Sequence, residues 1–148
     1  MIVTAFDPVK GRGSELARFD LIRDQEVDPH IDHLALCDIS PDSTRLAVVR
    51  GENEPIEVHS LRDQPTFVIS AKRLRRLRAI TWAANGKGLF VSNWTEHGRE
   101  VVRVDLRGKI DALWTCSSRC DGTPSPDGRH LGIYNQNVNS NMWMMENF

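Results

Sequence analysis

The chain has 148 residues, of which 40% are hydrophobic and 26% are charged, and its formal net charge is −1. This length is typical of one domain, and the balanced charge argues against a general polyanion-binding protein. No apolar run is long enough for a membrane-spanning helix, and residues 1–7 lack the basic and apolar regions of a signal peptide. We therefore expect no membrane segment and, by default, a cytoplasmic location.

Residues 1–28 predict three strands, at 2–6, 15–21 and 23–27. In the middle segment apolar and polar residues mix, and Leu16 and Phe19 are candidate core residues. The third segment is weak and ends at Asp28-Pro29. These residues thus predict an incomplete unit.

Residues 33–70 predict four strands, at 33–39, 45–50, 56–61 and 66–70, because Val, Ile, Phe and Thr dominate these segments. The tetrapeptide Ser40-Pro41-Asp42-Ser43 separates the first two. Proline presets φ at the second position of a type I turn, and the serine hydroxyl can hydrogen-bond forward to the backbone. The segment therefore predicts a hairpin.

Residues 71–78, Ala-Lys-Arg-Leu-Arg-Arg-Leu-Arg, carry the densest charge in the chain. They could be a binding patch for nucleic acid or an acidic partner, or a solvated connector with Leu74 and Leu77 turned inward. The interleaved leucines and the balanced total charge favour the connector, so we expect no nucleic-acid partner.

Residues 78–116 predict four more strands, at 78–82, 89–92, 100–106 and 112–116. Ala83-Ala84-Asn85-Gly86 is a degraded form of the preceding turn. Residues 94–99 are predicted to form a loop with an exposed Trp94. The other tryptophans are expected in the core: Trp82, Trp114 and Trp143.

Residues 119–148 predict three strands, at 121–123, 131–134 and 142–146, with no fourth. Ser125-Pro126-Asp127-Gly128 forms the turn between the first two, and the polar residues 136–141 form the next loop. This unit is also predicted to be incomplete.

The turn segment recurs at a nearly fixed period. Its copies begin at residues 40, 83 and 125, so the spacings are 43 and 42 residues. A period of about 40–45 residues with four strands per unit is typical of a β-propeller blade. We predict an all-β fold, a partial β-propeller of four-stranded antiparallel blades, two full and two incomplete, over residues 1–28, 33–70, 78–116 and 119–148. The strands of a blade are labelled A to D in chain order.

The repeat resembles the WD40-like (PD40, TolB-type) β-propeller repeat, whose hallmark is an apolar strand followed by Ser-Pro-Asp-Gly and Leu-Ala. Residues 124–131 and 141–148 are similar to the end of a subgroup of such propellers common in Acidobacteria. There the propeller often follows a winged-helix regulator or a Ser/Thr protein kinase domain. The resemblance implies a bacterial module with a protein-binding or sensory role.

The resemblance also implies about six blades, more than this chain supplies. An arc with open ends leaves unpaired strand edges. Three explanations stay open: the chain is the C-terminal part of a longer protein, two chains pair into one ring, or local distortion caps the arc. We expect a protein partner or self-association.

The three cysteines, Cys37, Cys116 and Cys120, are odd in number and irregular in spacing, which is not typical of a disulfide framework. Cys116 and Cys120 could pair across a loop between strands D and A. The default expectation is unpaired thiols, with a slight preference for a reducing compartment.

No catalytic, metal or cofactor motif is present, so we expect no enzyme activity, no metal and no cofactor. His30 and Asp32 share a strand face, but two ligands are too few for zinc. The B–C loops should gather on one face of the blades and form the binding surface. The candidate binding residues are Trp94, His97, Arg99, Asn137 and Asn139, with Glu52 and Asn53 in the equivalent earlier loop. The alternative function is a propeller associated with a peptidase-like hydrolase or a kinase, with a ligand site in the channel.

Overall fold

We analysed a computed structural model of the chain. It describes residues 36–62 and 64–136, together with the backbone of four strands nearer the N-terminus: β1 (Ile2–Phe6), β2 (Ser14–Asp20), β3 (Gln25–Glu26) and β4 (Ile31–Leu34). The predicted strand at 142–146, Trp143, Asn137 and Asn139 lie outside the described residues.

The described strands form four antiparallel sheets. In the first, β2 pairs with β1 and also with β3 and β4. The other sheets follow chain order, and their strands are β5 (Leu36–Ile39), β6 (Arg45–Val49), β7 (Ile56–Ser60) and β8 (Phe67–Ile69); β9 (Leu77–Trp82), β10 (Gly88–Thr95), β11 (Gly98–Asp105) and β12 (Ile110–Cys116); and β13 (Arg119–Pro124) and β14 (Leu131–Gln136). This arrangement confirms the predicted all-β fold of four-stranded antiparallel blades. Among the residues described, no helix is long and apolar enough to cross a membrane.

The predicted strand at 33–39 is wrong at its start. β4 pairs with β2 of the first sheet, while β5 begins the second sheet. The apolar run His33–Ile39 is therefore divided between two sheets, and an apolar run alone carries no signal for such a division. The outer strand predicted at 23–27 is likewise shorter, at Gln25–Glu26, and β4 also pairs with β2.

Strand β6 is buried on both faces. Ala47 and Val49 belong to a cluster that also contains residues of the third sheet, including Leu89 and Val91. Leu46 and Val48 belong to a separate cluster with Cys37, Ile39 and Leu61. Because successive side chains of a strand point to opposite faces, the second sheet has apolar residues on both sides, as expected for blades stacked face to face.

The three turn copies share one backbone conformation at their fourth residue, which has positive φ: Ser43 (55°), Gly86 (65°) and Gly128 (69°). In each copy this residue's N–H donates to the carbonyl oxygen of the first turn residue. The predicted hairpin turns therefore form, including the degraded copy.

The turn aspartates accept hydrogen bonds from within their own turns. Asp42 accepts from the Ser40 hydroxyl at 2.6 Å and from the N–H of Thr44 at 3.1 Å. These bonds, the Ser40 bond above all, lower the pKa of Asp42 to about 2. The pKa of Asp127 is also lowered, chiefly by the hydroxyl of Ser125.

The default expectation of unpaired thiols is wrong for Cys116 and Cys120, which form a disulfide with a Cα–Cα distance of 6.3 Å. The bond joins the end of β12 to the start of β13, and both cysteines are buried beside Val101, Leu131 and Ile133. The strand ends bring the two residues within bonding reach although only four positions separate them. The preference for a reducing compartment rested on unpaired thiols, so the disulfide removes the reason for it.

Candidate binding cleft

The hairpin between β10 and β11 carries the predicted binding residues Trp94, His97 and Arg99. The prediction of a loop over 94–99 is wrong, because both strands continue past it and Trp94 pairs directly with Arg99 across the ladder. The turn is therefore short, with Thr95 opposite Gly98. Polar residues at the strand ends resemble a loop in sequence, which explains the error.

Trp94 is half-buried, not fully exposed, because Arg99 covers its ring. The Arg99 guanidinium carbon lies 4.6 Å from the centroid of the Trp94 ring, a cation–π geometry. The Arg99 Nε is buried and has no hydrogen-bond partner among the described residues. The indole face therefore holds this guanidinium in place.

The tip of the hairpin has a defined shape. Gly98 has φ of 129°, and a Cβ at this position would collide with the carbonyl oxygen of Cys116. The Thr95 hydroxyl accepts a hydrogen bond from the N–H of His97 at 3.2 Å. His97 itself is exposed. The turn thus presents His97 to solvent on an ordered backbone.

Residues 71–78, which we call the basic connector, lead from β8 into β9, whose first two residues they include. Leu74 and Leu77 are buried, at 8% and 5% exposure, while the five cationic side chains of the segment are exposed. The predicted arrangement, a solvated connector with its leucines turned inward, is confirmed.

Arg76 is held in an unusual conformation, with φ of 51°. Its N–H donates to Asn53 Oδ1 at 3.2 Å, and the next N–H, of Leu77, donates to the carbonyl oxygen of Glu52 at 2.9 Å. Arg78 forms an ion pair with the Glu52 carboxylate at 2.7 Å. Glu52 and Asn53 were candidate binding residues, and in the structure they hold the basic connector.

The connector and the hairpin enclose an open cleft of about 590 Å³, which we call the basic cleft. Glu100 lies at its floor, 6% exposed, where it forms an ion pair with Arg73 at 3.2 Å and accepts a hydrogen bond from Asn93 at 3.2 Å. The lining residues are Arg73, Arg75, Arg76, Asn93, Trp94, Thr95, Glu96, His97 and Glu100.

The rim of the cleft carries cations that the described part of the chain does not neutralise. Arg73 pairs with Glu100, whereas no ion pair joins Arg75 or Arg76 to any carboxylate of the described residues. Both side chains are exposed. The cleft therefore offers two exposed guanidinium groups beside an aromatic ring.

Sequence reasoning singled out the hairpin but missed the role of the connector. Loops B–C and connectors D–A leave the same end of an antiparallel four-stranded blade, so the connector that enters one blade lies beside that blade's B–C hairpin. This topological argument, applied to the charges of residues 71–78, could have found the cleft.

One further sequence expectation is wrong. Trp114, expected in the core, is 52% exposed on β12.

Comparison with solved structures identifies the architecture. The fold is similar to that of TolB from Acinetobacter baumannii, with a TM-score of 0.63 and 17% identity over 88% of this chain. The chain has a TolB-like β-propeller fold. It covers 33% of the TolB chain, so this propeller segment spans about a third of that protein.

A second structure, of a presumed 6-phosphogluconolactonase from Bacteroides uniformis, aligns with this propeller at a TM-score of 0.49 and 16% identity, over 86% of this chain and 45% of the other. No protein-family model matches the sequence, and no curated protein matches it.

Proposed function

We propose that this propeller is a non-catalytic module that binds a protein partner at the basic cleft. The observation that carries the proposal is the convergence of two ordered elements, the basic connector and the Trp94–Arg99 hairpin, on one open cleft. Tryptophan and arginine are the residue types most enriched at the energetic centres of protein interfaces.

The rigidity of both walls supports this proposal. Buried leucines and the bonds from Glu52 and Asn53 hold the connector, and strand pairing holds the hairpin. A preformed surface loses less conformational entropy on binding than a flexible one.

The repeat type supports a sensory or interaction module of the WD40-like (PD40) kind. Two of the three turn copies keep Ser-Pro-Asp, and both form the same set of serine and aspartate hydrogen bonds.

A peptide-display selection on the immobilised protein tests the proposal. Peptides selected on the unaltered protein should bind at least about 10-fold more weakly to Trp94→Ala. Trp114→Ala is the matched control, since it removes an exposed tryptophan from an outer strand, and its affinity should stay within about 2-fold.

The Trp94 variant could lose binding through a folding defect, so a second variant, His97→Ala, changes a residue that is exposed at the hairpin tip. It should weaken binding while leaving the thermal unfolding midpoint unchanged. Selected peptides that bind both hairpin variants as well as the parent would overturn the proposal, and so would a selection that yields no binder.

A further inference from the structure

We infer that the basic cleft binds an acidic peptide segment, whose carboxylates pair with Arg75 and Arg76. This inference rests on the proposed function and specifies the chemistry of the partner. A guanidinium presents two parallel N–H donors that match the two oxygens of a carboxylate, so arginine suits this recognition better than lysine does.

The charges within the cleft leave these two arginines available. The buried carboxylate of Glu100 is already satisfied by Arg73 and Asn93, at 3.2 Å each. Its charge is therefore paired with Arg73 and does not neutralise Arg75 or Arg76. The remaining charged groups of the lining are Arg75, Arg76 and the exposed Glu96.

The backbone under these arginines is set before any ligand arrives. Arg76 keeps a left-handed conformation that a non-glycine residue rarely adopts, and Asn53 holds it there. Leu74 and Leu77, which flank the two arginines, are both buried. Arg75 and Arg76 are therefore adjacent on a fixed turn, which suits a ligand with neighbouring carboxylates.

A peptide fits this cleft better than a nucleic acid does. The chain has a net charge of −1, so no long-range field attracts a polyanion. The exposed Glu96 also lines the cleft, and it would repel a continuous phosphate backbone, whereas a peptide can place an uncharged residue beside it. A peptide can place its carboxylates on the arginines and its N–H groups near Glu96, with an apolar side chain against Trp94.

Isothermal titration with a short synthetic peptide tests the inference. The probe is acetyl-Glu-Glu-Leu-Glu-Glu-amide, and its control is the peptide with glutamine in place of each glutamate. At low salt the acidic peptide should bind at least about 10-fold more tightly than the neutral one, and its affinity should fall as salt is added.

Charge-removing variants locate the contact. Arg75→Gln and Arg76→Asn should each weaken binding of the acidic peptide about 3- to 10-fold, and asparagine tolerates positive φ at position 76. Arg107→Gln, which removes an exposed cation from the turn before β12, is the matched control and should have no effect.

Three outcomes would overturn the inference: equal affinity for the two peptides, an equal loss in Arg107→Gln, or tighter binding of a five-residue oligothymidylate. Its failure is distinguishable from failure of the proposed function. Suppose that the display selection yields neutral peptides whose binding depends on Trp94 but not on Arg75 or Arg76. The inference of an acidic partner would then be wrong, while the proposed binding function of the cleft would stand.

Discussion

Trp82 and Asp38 join the inner strands of two neighbouring blades through two hydrogen bonds. The Trp82 N–H donates to the Asp38 carboxylate at 2.6 Å, and the indole Nε1–H donates to the Asp38 carbonyl oxygen at 2.9 Å. Arg45 covers the indole ring at 4.8 Å and donates to the carbonyl oxygen of Gly86 at 2.8 Å. The second and third sheets are thus joined by directional bonds as well as by apolar packing.

We expect Asp38→Ala to lower the free energy of unfolding by about 1–2 kcal/mol. Trp82 is 2% exposed, so its backbone N–H would lose its acceptor at a position that is nearly closed to water. Asp38→Asn keeps an acceptor and should lose less. Urea denaturation of the three proteins measures the difference, and equal losses in the two variants would show that the acceptor itself is unimportant.

We expect Ser43→Gly to stabilise the protein by about 0.5–1 kcal/mol. Ser43 has φ of 55°, which is strained for a residue with a Cβ. Glycine removes the strain but loses part of the gain to the greater freedom of the unfolded chain. Ser43→Ala keeps the Cβ and is the control. A glycine variant no more stable than the alanine variant would contradict the strain argument.

The turn aspartates predict loss of stability in acid. The pKa of Asp42 is lowered from 3.8 to about 2 in the folded chain, so the unfolded chain binds protons first as the pH falls. The stabilisation from ionised Asp42 is therefore complete above pH 4 and is lost between about pH 4 and 2.

Asp42→Asn tests this pH dependence. The degraded turn has asparagine at the equivalent place, where Asn85 accepts from the N–H of Lys87 at 2.9 Å, so the substitution should keep the turn. Thermal unfolding midpoints from pH 5 to 2 should fall less steeply for the variant than for the parent. Parallel curves across this range would contradict the assignment.

We expect the double variant Cys116→Ala/Cys120→Ala to have a free energy of unfolding about 2 kcal/mol lower than that of the parent, which is the loop-entropy contribution of a disulfide that closes so short a loop. Dithiothreitol should lower the thermal midpoint of the parent and leave that of the double variant unchanged. If reductant leaves the parent unchanged as well, the disulfide does not stabilise the fold.

Most strands of the second and third sheets could be predicted from the sequence. Turn chemistry marks one end of each hairpin, and aliphatic runs such as Leu46–Val49 follow it. The sequence prediction was least accurate at strand ends that are rich in polar residues. Asn93 is buried at 1% exposure and belongs to β10, yet by residue type it resembles a loop and it lies beyond the strand predicted at 89–92.

The site was harder to predict than the fold, because it depends on pairs that are distant in sequence. Arg76 and Asn53 are 23 residues apart, and Arg73 and Glu100 are 27 residues apart. Neither pair has a local pattern. The exposure of Trp114 also had no local signal, since its strand alternates like a buried one.

The complete burial of Leu46, Ala47, Val48 and Val49 in β6, all at 0% exposure, has a consequence for how far the sequence of this fold can vary. A strand that is enclosed on both faces requires aliphatic side chains of suitable volume, and valine, leucine and isoleucine meet this requirement almost interchangeably. Its residues can therefore be substituted while its backbone keeps the same position. A fold shared with TolB over 88% of the chain is therefore compatible with only 17% sequence identity.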